Sequence, residues 1–419
     1  MKQFLPLLLL VSFSFRLPAQ TPDWTKSPHF VPIENQDKLD DFSDLMPLKE
    51  LLKDKKIISL GENTHGFGDQ FQLKARLAIF LHEELDFDLI LFEEGLSDMG
   101  LIWERMDGLS AEELKSKFLH YYQNEEMEDL YVYLKNSHDK ADPLILQGID
   151  CQAQQDYFKT VFSEIAAPYN QRLADSLRYG LHEINNMYGH QITNKDEAAF
   201  YTSRDKFAKS CQELADFLEE YEEKLYADQR LSKEEFELFK RSLQNFQAYT
   251  QLEFGDLWST AELELRDSLM ADNISWLLEE AYPGKKALIW AHNYHIAKEN
   301  VYLDSTKWMG IHLKERYKEE YYSLGSLVYK GAFFNHFNRE VYEFENKGPF
   351  NMEYQLMKAG QDYFLLDLEG LEQTDENAWM FNWGLWGFQQ NGFSQYILSR
   401  RFDGLLFLRK SGPPTFDKK

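Results

Sequence analysis

The chain has 419 residues, a formal charge of −25 and only two cysteines. This acidity argues against binding to nucleic acid or to anionic membranes, because their phosphate groups would be repelled. Two cysteines exclude a disulfide-rich scaffold; Cys151 and Cys211 are expected either to form one bridge or to remain buried thiols.

The first twenty residues have the pattern of a signal peptide. Lys2 precedes an apolar stretch over residues 4–15, and residues 17–20 supply a small residue before a cleavage point. The stretch is too short to span a bilayer comfortably. We therefore predict a signal peptide at 1–20 and an exported protein, periplasmic or extracellular, with no stable membrane insertion after the signal is removed.

Short apolar runs bounded by turn or charged residues predict seven buried strands, and helical spacing fills most of the segments between them. The strands are expected at residues 56–60, 89–92, 144–147, 287–290, 322–329, 363–368 and 405–408. Strands that alternate with helices predict an α/β fold with a mostly parallel central sheet flanked by helices. Residues 21–419 are expected to form a single α/β hydrolase-type domain. A long all-helical insertion, a lobe at about 155–280, separates the third and fourth strands.

Ionisable side chains follow each of the first four predicted strands. They are Glu62 and His65 after the first strand, Glu93 after the second, Asp150 after the third, and His292 and His295 after the fourth. Because the carboxyl ends of parallel strands lie at one edge of a sheet, these groups are expected to converge. Such a cluster indicates an enzyme.

A histidine bonded to a carboxylate is a good general base near neutral pH. His65, oriented by Glu62 or Glu93, could deprotonate a water molecule. His292, His295 or Lys74 would polarise a carbonyl oxygen and stabilise the oxyanion. The same residues could instead hold a divalent metal such as zinc, although the His-x-x-His spacing alone is weak evidence for one. The chain has no Gly-x-Ser-x-Gly nucleophile elbow, no His-Glu-x-x-His and no phosphate-binding loop.

Together these motifs resemble the erythromycin esterase family. The resemblance rests on Gly-Glu-Asn-Thr-His-Gly at 61–66, the helix at 71–77, Phe-Glu at 92–93, Gly-Ile-Asp at 148–150, Arg-Asp at 266–267 with the helix that follows, Trp-Ala-His-Asn-Tyr-His at 290–295, and 402–407. These motifs occur in the family's order and extend over roughly residues 40 to 410.

The resemblance implies a carboxylic ester hydrolase whose catalytic residues are Glu62, His65, Glu93, His292 and His295. In the family, the counterpart of His65 activates water without a covalent serine intermediate, and the name-giving members open a macrolide lactone. Lys74, Asp150 and Asn293 are assigned substrate-binding or supporting places. Lys74 departs from the family pattern, because an arginine often stands there and lysine lacks its bidentate fork.

We therefore expect a small-molecule ester as the substrate and no cofactor. The alternatives are a metal-dependent hydrolase or protease, and a protein that binds haem, a metal or a small ligand through the same histidines. The resemblance supports a hydrolase better than it supports antibiotic resistance, because most of a substrate pocket lies in variable loops and helices.

Overall fold

The computed structural model describes residues 21–34, 39, 41–152, 157–388 and 392–416, and the predicted signal peptide lies outside them. The strands are β1 (Phe30–Pro32), β2 (Ile57–Leu60), β3 (Leu89–Gly95), β4 (Ile145–Asp150), β5 (Ala287–Trp290), β6 (Tyr321–Asn335), β7 (Glu340–Glu345), β8 (Tyr363–Asp367), β9 (Trp383–Phe388), β10 (Gly392–Ile397) and β11 (Gly404–Ser411).

The α-helices are α1 (Leu48–Leu52), α2 (Gly68–Leu85), α3 (Leu96–Glu104), α4 (Ala111–Lys115), α5 (Glu128–His138), α6 (Tyr157–Ala166), α7 (Gln171–Gly180), α8 (Glu183–Tyr188), α9 (Glu197–Ala227), α10 (Lys233–Tyr249), α11 (Thr260–Trp276), α12 (Asn293–Ile296), α13 (Met309–Tyr317), α14 (Met352–Met357) and α15 (Leu398–Arg401). Short 3₁₀ segments are Asp23–Lys26, Glu125–Met127, Lys318–Glu320 and Ala378–Phe381, and π-helical turns are Gly189–Asn194 and Leu277–Ala281.

The predicted α/β architecture is confirmed. A nine-stranded sheet has the order β1-β8-β11-β6-β2-β5-β3-β4, with β7 paired to β6. All pairs from β11 to β4 along this order are parallel, whereas β8, β1 and β7 join antiparallel. The parallel strands are almost wholly buried because helices cover both faces, which explains their continuous apolar sequences.

The strand register brings the predicted site residues to one edge. Leu60 of β2 lies opposite Trp290 of β5, Trp290 lies opposite Phe92 of β3, and Phe92 lies opposite Gly148 of β4. These four strands therefore end next to one another at the carboxyl edge of the sheet. The polar residues just beyond them become neighbours although they lie far apart in the sequence.

The predicted all-helical insertion lies between β4 and β5. It comprises α6 to α11 and the π-helical turns, and in the part of the chain that the structure describes it contains no strand. We call α6 to α11 the helical lobe. All seven predicted strands are present. The antiparallel strands β1, β7, β9 and β10 were not predicted, because they are short, or carry exposed polar residues, or contain glycines, and so lack a buried-strand pattern.

Two smaller points concern the cysteines and the membrane. Cys151 and Cys211 are buried free thiols, so the alternative of one bridge does not apply to this conformation. Among the residues described, no helix is long and apolar enough to cross a bilayer.

Candidate active site

The polar turn after β2 is held tightly against its neighbours. A Cβ atom on Gly61 would lie 2.2 Å from the Asn293 side chain, and one on Gly66 would lie 2.1 Å from the Phe334 carbonyl oxygen. The Phe334 amide also donates to the Gly66 carbonyl at 3.0 Å. Glycine is therefore required at both ends of the turn, since any larger residue would push His65 out of position.

The imidazole of His65 is held in one tautomer. Its Nδ1 lies 2.5 Å from Oε1 of Glu62, and because a carboxylate only accepts, the proton of the neutral ring is on Nδ1 and the lone pair is on Nε2. The ring lies 4.1 Å from that of Tyr121, nearly parallel to it, and a quarter of the side chain is exposed. The imidazole is thus fixed by a carboxylate and an aromatic face.

Glu62 is fully buried and receives several donors. Lys74 Nζ donates to its Oε2 at 2.7 Å, and the Trp290 indole N–H donates to the same oxygen at 2.9 Å. Burial alone would raise the pKa of Glu62, but the charge of Lys74 and the imidazole of His65 outweigh burial and lower the pKa to about 2. Glu62 therefore presents a permanent negative charge to His65.

Lys74 bonds Glu62 and does not line the cavity described below. Its ammonium is fully buried and lies 4.1 Å from the centre of the Trp290 ring. Burial lowers the pKa of Lys74 to about 8, although the charge of Glu62 opposes this. Arg76, two residues later, donates instead to Asp44 at 2.6 Å and does not replace Lys74.

His295 is held as a cation between two carboxylates. Its Nδ1 lies 2.8 Å from Asp267, and its Nε2 lies 3.2 Å from Oε1 of Glu93. Burial alone would lower the pKa of His295, but Asp267 and Glu93 raise it to about 10. His295 is therefore protonated at neutral pH and fixes the position of Glu93.

His292 is held neutral. Its Nε2 donates to the Asn63 carbonyl at 2.7 Å, and its Nδ1 accepts from the Tyr294 amide at 3.4 Å. Burial and the neighbouring His65 lower the pKa of His292 to about 4. The His292 amide also donates to Glu93 at 2.9 Å, so this residue ties the ends of β2, β3 and β5 together.

Arg266, on α11, connects the lobe to the sheet edge. Its Nη2 donates to Asp150 at 2.6 Å and to Glu93 at 3.1 Å, and its Nε is 3.2 Å from both Asp150 oxygens. Burial opposes the charge, but Asp150 and Glu93 hold the pKa of Arg266 well above its usual value. Asp150 thus supports the site through this guanidinium.

A cavity of about 730 Å³ opens above these groups. The strand ends contribute His65, Glu93 and His292, the helical lobe contributes Arg266 among others, and the β6–β7 hairpin contributes His336. Most of its surface is apolar. The cavity is therefore large enough for a bulky organic substrate with a few polar anchoring groups.

The eight residues predicted for the site fall into two groups. His65, Glu93 and His292 line the cavity, whereas Glu62, Lys74, Asp150, Asn293 and His295 are buried next to it. Asn293 bonds Asn63 at 3.0 Å and the Ser326 carbonyl at 2.7 Å. It joins neighbouring segments at the sheet edge and does not line the cavity.

Most residues that line the cavity were not predicted, and three of these contact His65 or Glu93. Arg266 was visible only as part of the Arg-Asp motif at 266–267. Tyr121 and His336 come from a loop and a hairpin, and His336 Nε2 donates to the His65 carbonyl at 2.8 Å. No spacing in the sequence connects these segments to the strand ends.

The histidines do not fit a zinc site in this conformation. Both ring nitrogens of His292 and both of His295 are bonded to protein groups, which leaves His65 as the only one of the three with a lone pair available. Zinc takes three or four protein ligands. Of the residues that the structure describes, a group of three with ligand atoms within 4.8 Å of one another occurs at Asp107, His138 and Asp139, away from the cavity.

The chain is similar in sequence to known proteins. A model of the erythromycin esterase family matches residues 82–411, a match that begins past the turn with Glu62 and His65. The putative hydrolase YbfO of Bacillus subtilis strain 168 is 27% identical over 404 residues, 90% of this chain and 88% of that protein. Erythromycin esterase type II of Escherichia coli is 24% identical over 335 residues, 74% of this chain and 77% of that protein.

Two solved structures show the same fold. A Bacillus cereus protein superposes with a TM-score of 0.73 at 22% identity, covering 94% of this chain and 98% of that one. An open-conformation mutant of the erythromycin esterase EreC superposes with a TM-score of 0.65 at 17% identity, covering 93% of this chain and all of that one.

Proposed function

The chain belongs to the erythromycin esterase family, and from this we propose that it hydrolyses a carboxylic ester with water activated by His65. The family and its relatives indicate a hydrolase. The observation that carries the specific reaction is the bond between His65 Nδ1 and Glu62, which places the proton of the neutral ring on Nδ1 and makes Nε2 the nitrogen that can accept a proton in the cavity. A macrolactone is one candidate substrate, and the pattern at residues 1–20 supports a site of action outside the cytoplasm.

In the proposed reaction a water molecule lies between His65 Nε2 and the ester carbonyl carbon. Nε2 takes one proton from the water while the water oxygen bonds to the carbon, and Glu62 stabilises the imidazolium that forms. The tetrahedral intermediate then collapses, the carbon–oxygen bond to the alcohol breaks, and His65 returns its proton to the leaving alkoxide. The products are the carboxylic acid and the alcohol.

The carbonyl oxygen becomes negative in this step and needs a cation or a hydrogen-bond donor. Of the residues that line the cavity, Arg266 offers a permanently charged guanidinium, oriented in advance by Asp150 and Glu93. The sequence predicts His292, His295 or Lys74 for this role. Lys74 and His295 do not line the cavity, and the ring of His292 is neutral with both nitrogens bonded. We therefore assign the role to Arg266 and treat the two histidines as positioning residues.

Mass spectrometry of a panel of carboxylic esters and macrolides incubated with the mature protein tests this proposal. For a lactone, the expected result is one ring-opened product heavier than the substrate by one water molecule. For an open-chain ester, it is an acid and an alcohol whose masses together exceed that of the substrate by one water molecule. His65→Ala should lose this activity with its fold intact. His312→Ala is the matched control, because His312, on α13, does not line the cavity. Full activity in His65→Ala would overturn the mechanism.

A further inference from the structure

A second carboxylate lines the same cavity and has no place in the proposed hydrolysis. Glu262 lies on α11, four residues before Arg266, and is only 2% exposed. Since α11 rises about 1.5 Å per residue, the two side chains leave the helix about 6 Å apart along its axis. The helical lobe therefore presents a negative group beside the guanidinium.

The bonds of Glu262 leave its charge uncompensated. The Tyr188 hydroxyl donates to Oε1 at 2.7 Å, the Gln152 amide donates to the same oxygen at 3.3 Å, and the Trp258 backbone N–H donates to Oε2 at 2.9 Å. These donors are all neutral. Within the described ranges no lysine, arginine or histidine nitrogen lies within 4.0 Å of this carboxylate. A carboxylate accepts about four hydrogen bonds, so Oε2 keeps acceptor capacity.

Aromatic rings flank this carboxylate. The Trp258 side chain lines the cavity yet is 65% exposed, and its ring centre lies 6.5 Å from that of Tyr188. Trp258 has a φ of 63°, a left-handed conformation that bulky residues rarely adopt. This conformation allows the backbone N–H of Trp258 to bind Glu262 while the indole faces the cavity. Backbone strain of this kind is concentrated at binding and catalytic sites.

The buried charges around the cavity favour a positively charged ligand. The acidic groups outnumber the basic ones: the carboxylates are Glu62, Glu93, Asp150, Glu262 and Asp267, and the cations are Lys74, Arg266 and His295. The whole chain is also strongly acidic, with a charge of −25. The excess of carboxylates around the cavity and the net negative charge of the chain both attract a cation to the cavity and repel an anion.

We infer that Glu262, Trp258 and Tyr188 form a subsite for an ammonium group of the substrate. A carboxylate beside exposed aromatic faces is the combination that recognises organic ammonium ions, by ion pairing and by cation–π attraction. This inference rests on the proposed function and adds the substrate class. With the ester carbonyl at Arg266 and the ammonium at Glu262, the substrate is an amino ester that reaches both side chains of α11 at once.

Calorimetric binding of tetraethylammonium tests the subsite without any turnover. Glu262→Gln keeps the shape and removes the charge, and it should weaken binding about 10- to 30-fold. Glu264→Gln removes one charge from the same helix but not from the cavity, and should bind like the wild type. Trp258→Ala should also weaken binding, and it provides the test if Glu262→Gln does not fold. Equal affinity in the Glu262 and Glu264 variants would overturn the inference.

Rates of ester hydrolysis test the subsite and the proposed function independently of each other. We compare butyrylcholine with its uncharged isostere, in which carbon replaces nitrogen. The wild type should prefer the cation in kcat/KM by about 10-fold or more, and Glu262→Gln should abolish the preference. Equal rates on both esters in the wild type would refute the subsite while the esterase stands. Binding of tetraethylammonium that depends on Glu262, with no ester or lactone cleaved, would refute the esterase while the subsite stands.

Discussion

The buried pair of Glu62 and Lys74 allows stability and catalysis to be separated by a double-variant experiment. Both side chains are completely buried, and Nζ lies 2.7 Å from Oε2. Glu62→Gln leaves the Lys74 ammonium without its carboxylate, and Lys74→Met leaves the Glu62 carboxylate without its ammonium. Removing one partner of a buried ion pair costs about 3–5 kcal/mol, so each single variant should lose that much free energy of unfolding.

The double variant should regain most of this stability. With both charges gone, the cost of burying an unpaired ion disappears, and methionine fills about the volume of lysine beneath Trp290. Replacing both members of a buried pair is often close to neutral, so we expect the double variant within about 1–2 kcal/mol of the wild type. Urea unfolding followed by tryptophan fluorescence measures this directly.

Catalysis should not return with stability. In both variants that carry glutamine at position 62, His65 has lost the negative charge that stabilises its imidazolium, and kcat/KM should fall about 10³-fold or more. The surface pair Lys49 and Glu84 is the matched control: its N···O distance is also 2.7 Å, but both side chains are partly exposed. Breaking that pair should cost at most about 1 kcal/mol. Additive stability losses, or a double variant within about tenfold of wild-type activity, would refute this account of the pair.

Three further predictions concern charge and metal. Lys74 has a pKa of about 8, so wild-type activity should decline as the pH rises through 8 and Lys74 loses its charge. Lys74→Arg keeps its charge and should remove this decline from the pH–rate profile. A decline that is unchanged in Lys74→Arg would contradict the prediction. The pKa of His295 is raised from 6.5 to about 10, so its ion pairs stabilise the fold fully below pH 6.5, and this stabilisation is lost as the pH approaches 10. Melting curves of His295→Gln should lack this pH dependence. The same pH dependence in the variant and the wild type would argue against the His295 ion pairs. Treatment with a chelator should leave ester hydrolysis unchanged within about twofold, and loss of activity that zinc restores would favour the metal-dependent alternative.

The convergence of the site could be predicted because it depends on backbone topology. Once β2, β3, β4 and β5 are identified as parallel strands, their carboxyl ends must share an edge, and Glu62, Glu93 and His292 follow directly. Buried parallel strands have continuous apolar sequences that are easy to recognise. The helical lobe was equally visible, since more than a hundred residues lacked any strand pattern.

The charge state and the bonding partner of each side chain in the site could not be predicted. His292 and His295 are three positions apart, at the N-terminus of α12 and within it. One is held neutral and the other charged, because their partners are a carbonyl and two carboxylates from other segments. The partner of Lys74 depends on which side of α2 faces Glu62. Tyr121 and His336 reach the cavity from loops whose paths no periodicity describes.

The helical lobe departs from the sheet after β4 and returns before β5, and these are its two covalent connections. Mutations, insertions or deletions in α6 to α10 therefore change segments that carry neither Glu62 nor His65, although Tyr188 of α8 lines the cavity. Helix α11 is different, because Arg266 lies on it and bonds Glu93 and Asp150 at the strand ends. Remodelling of the outer lobe can thus change which molecules the cavity admits, while the strand ends that carry Glu62 and His65 stay the same.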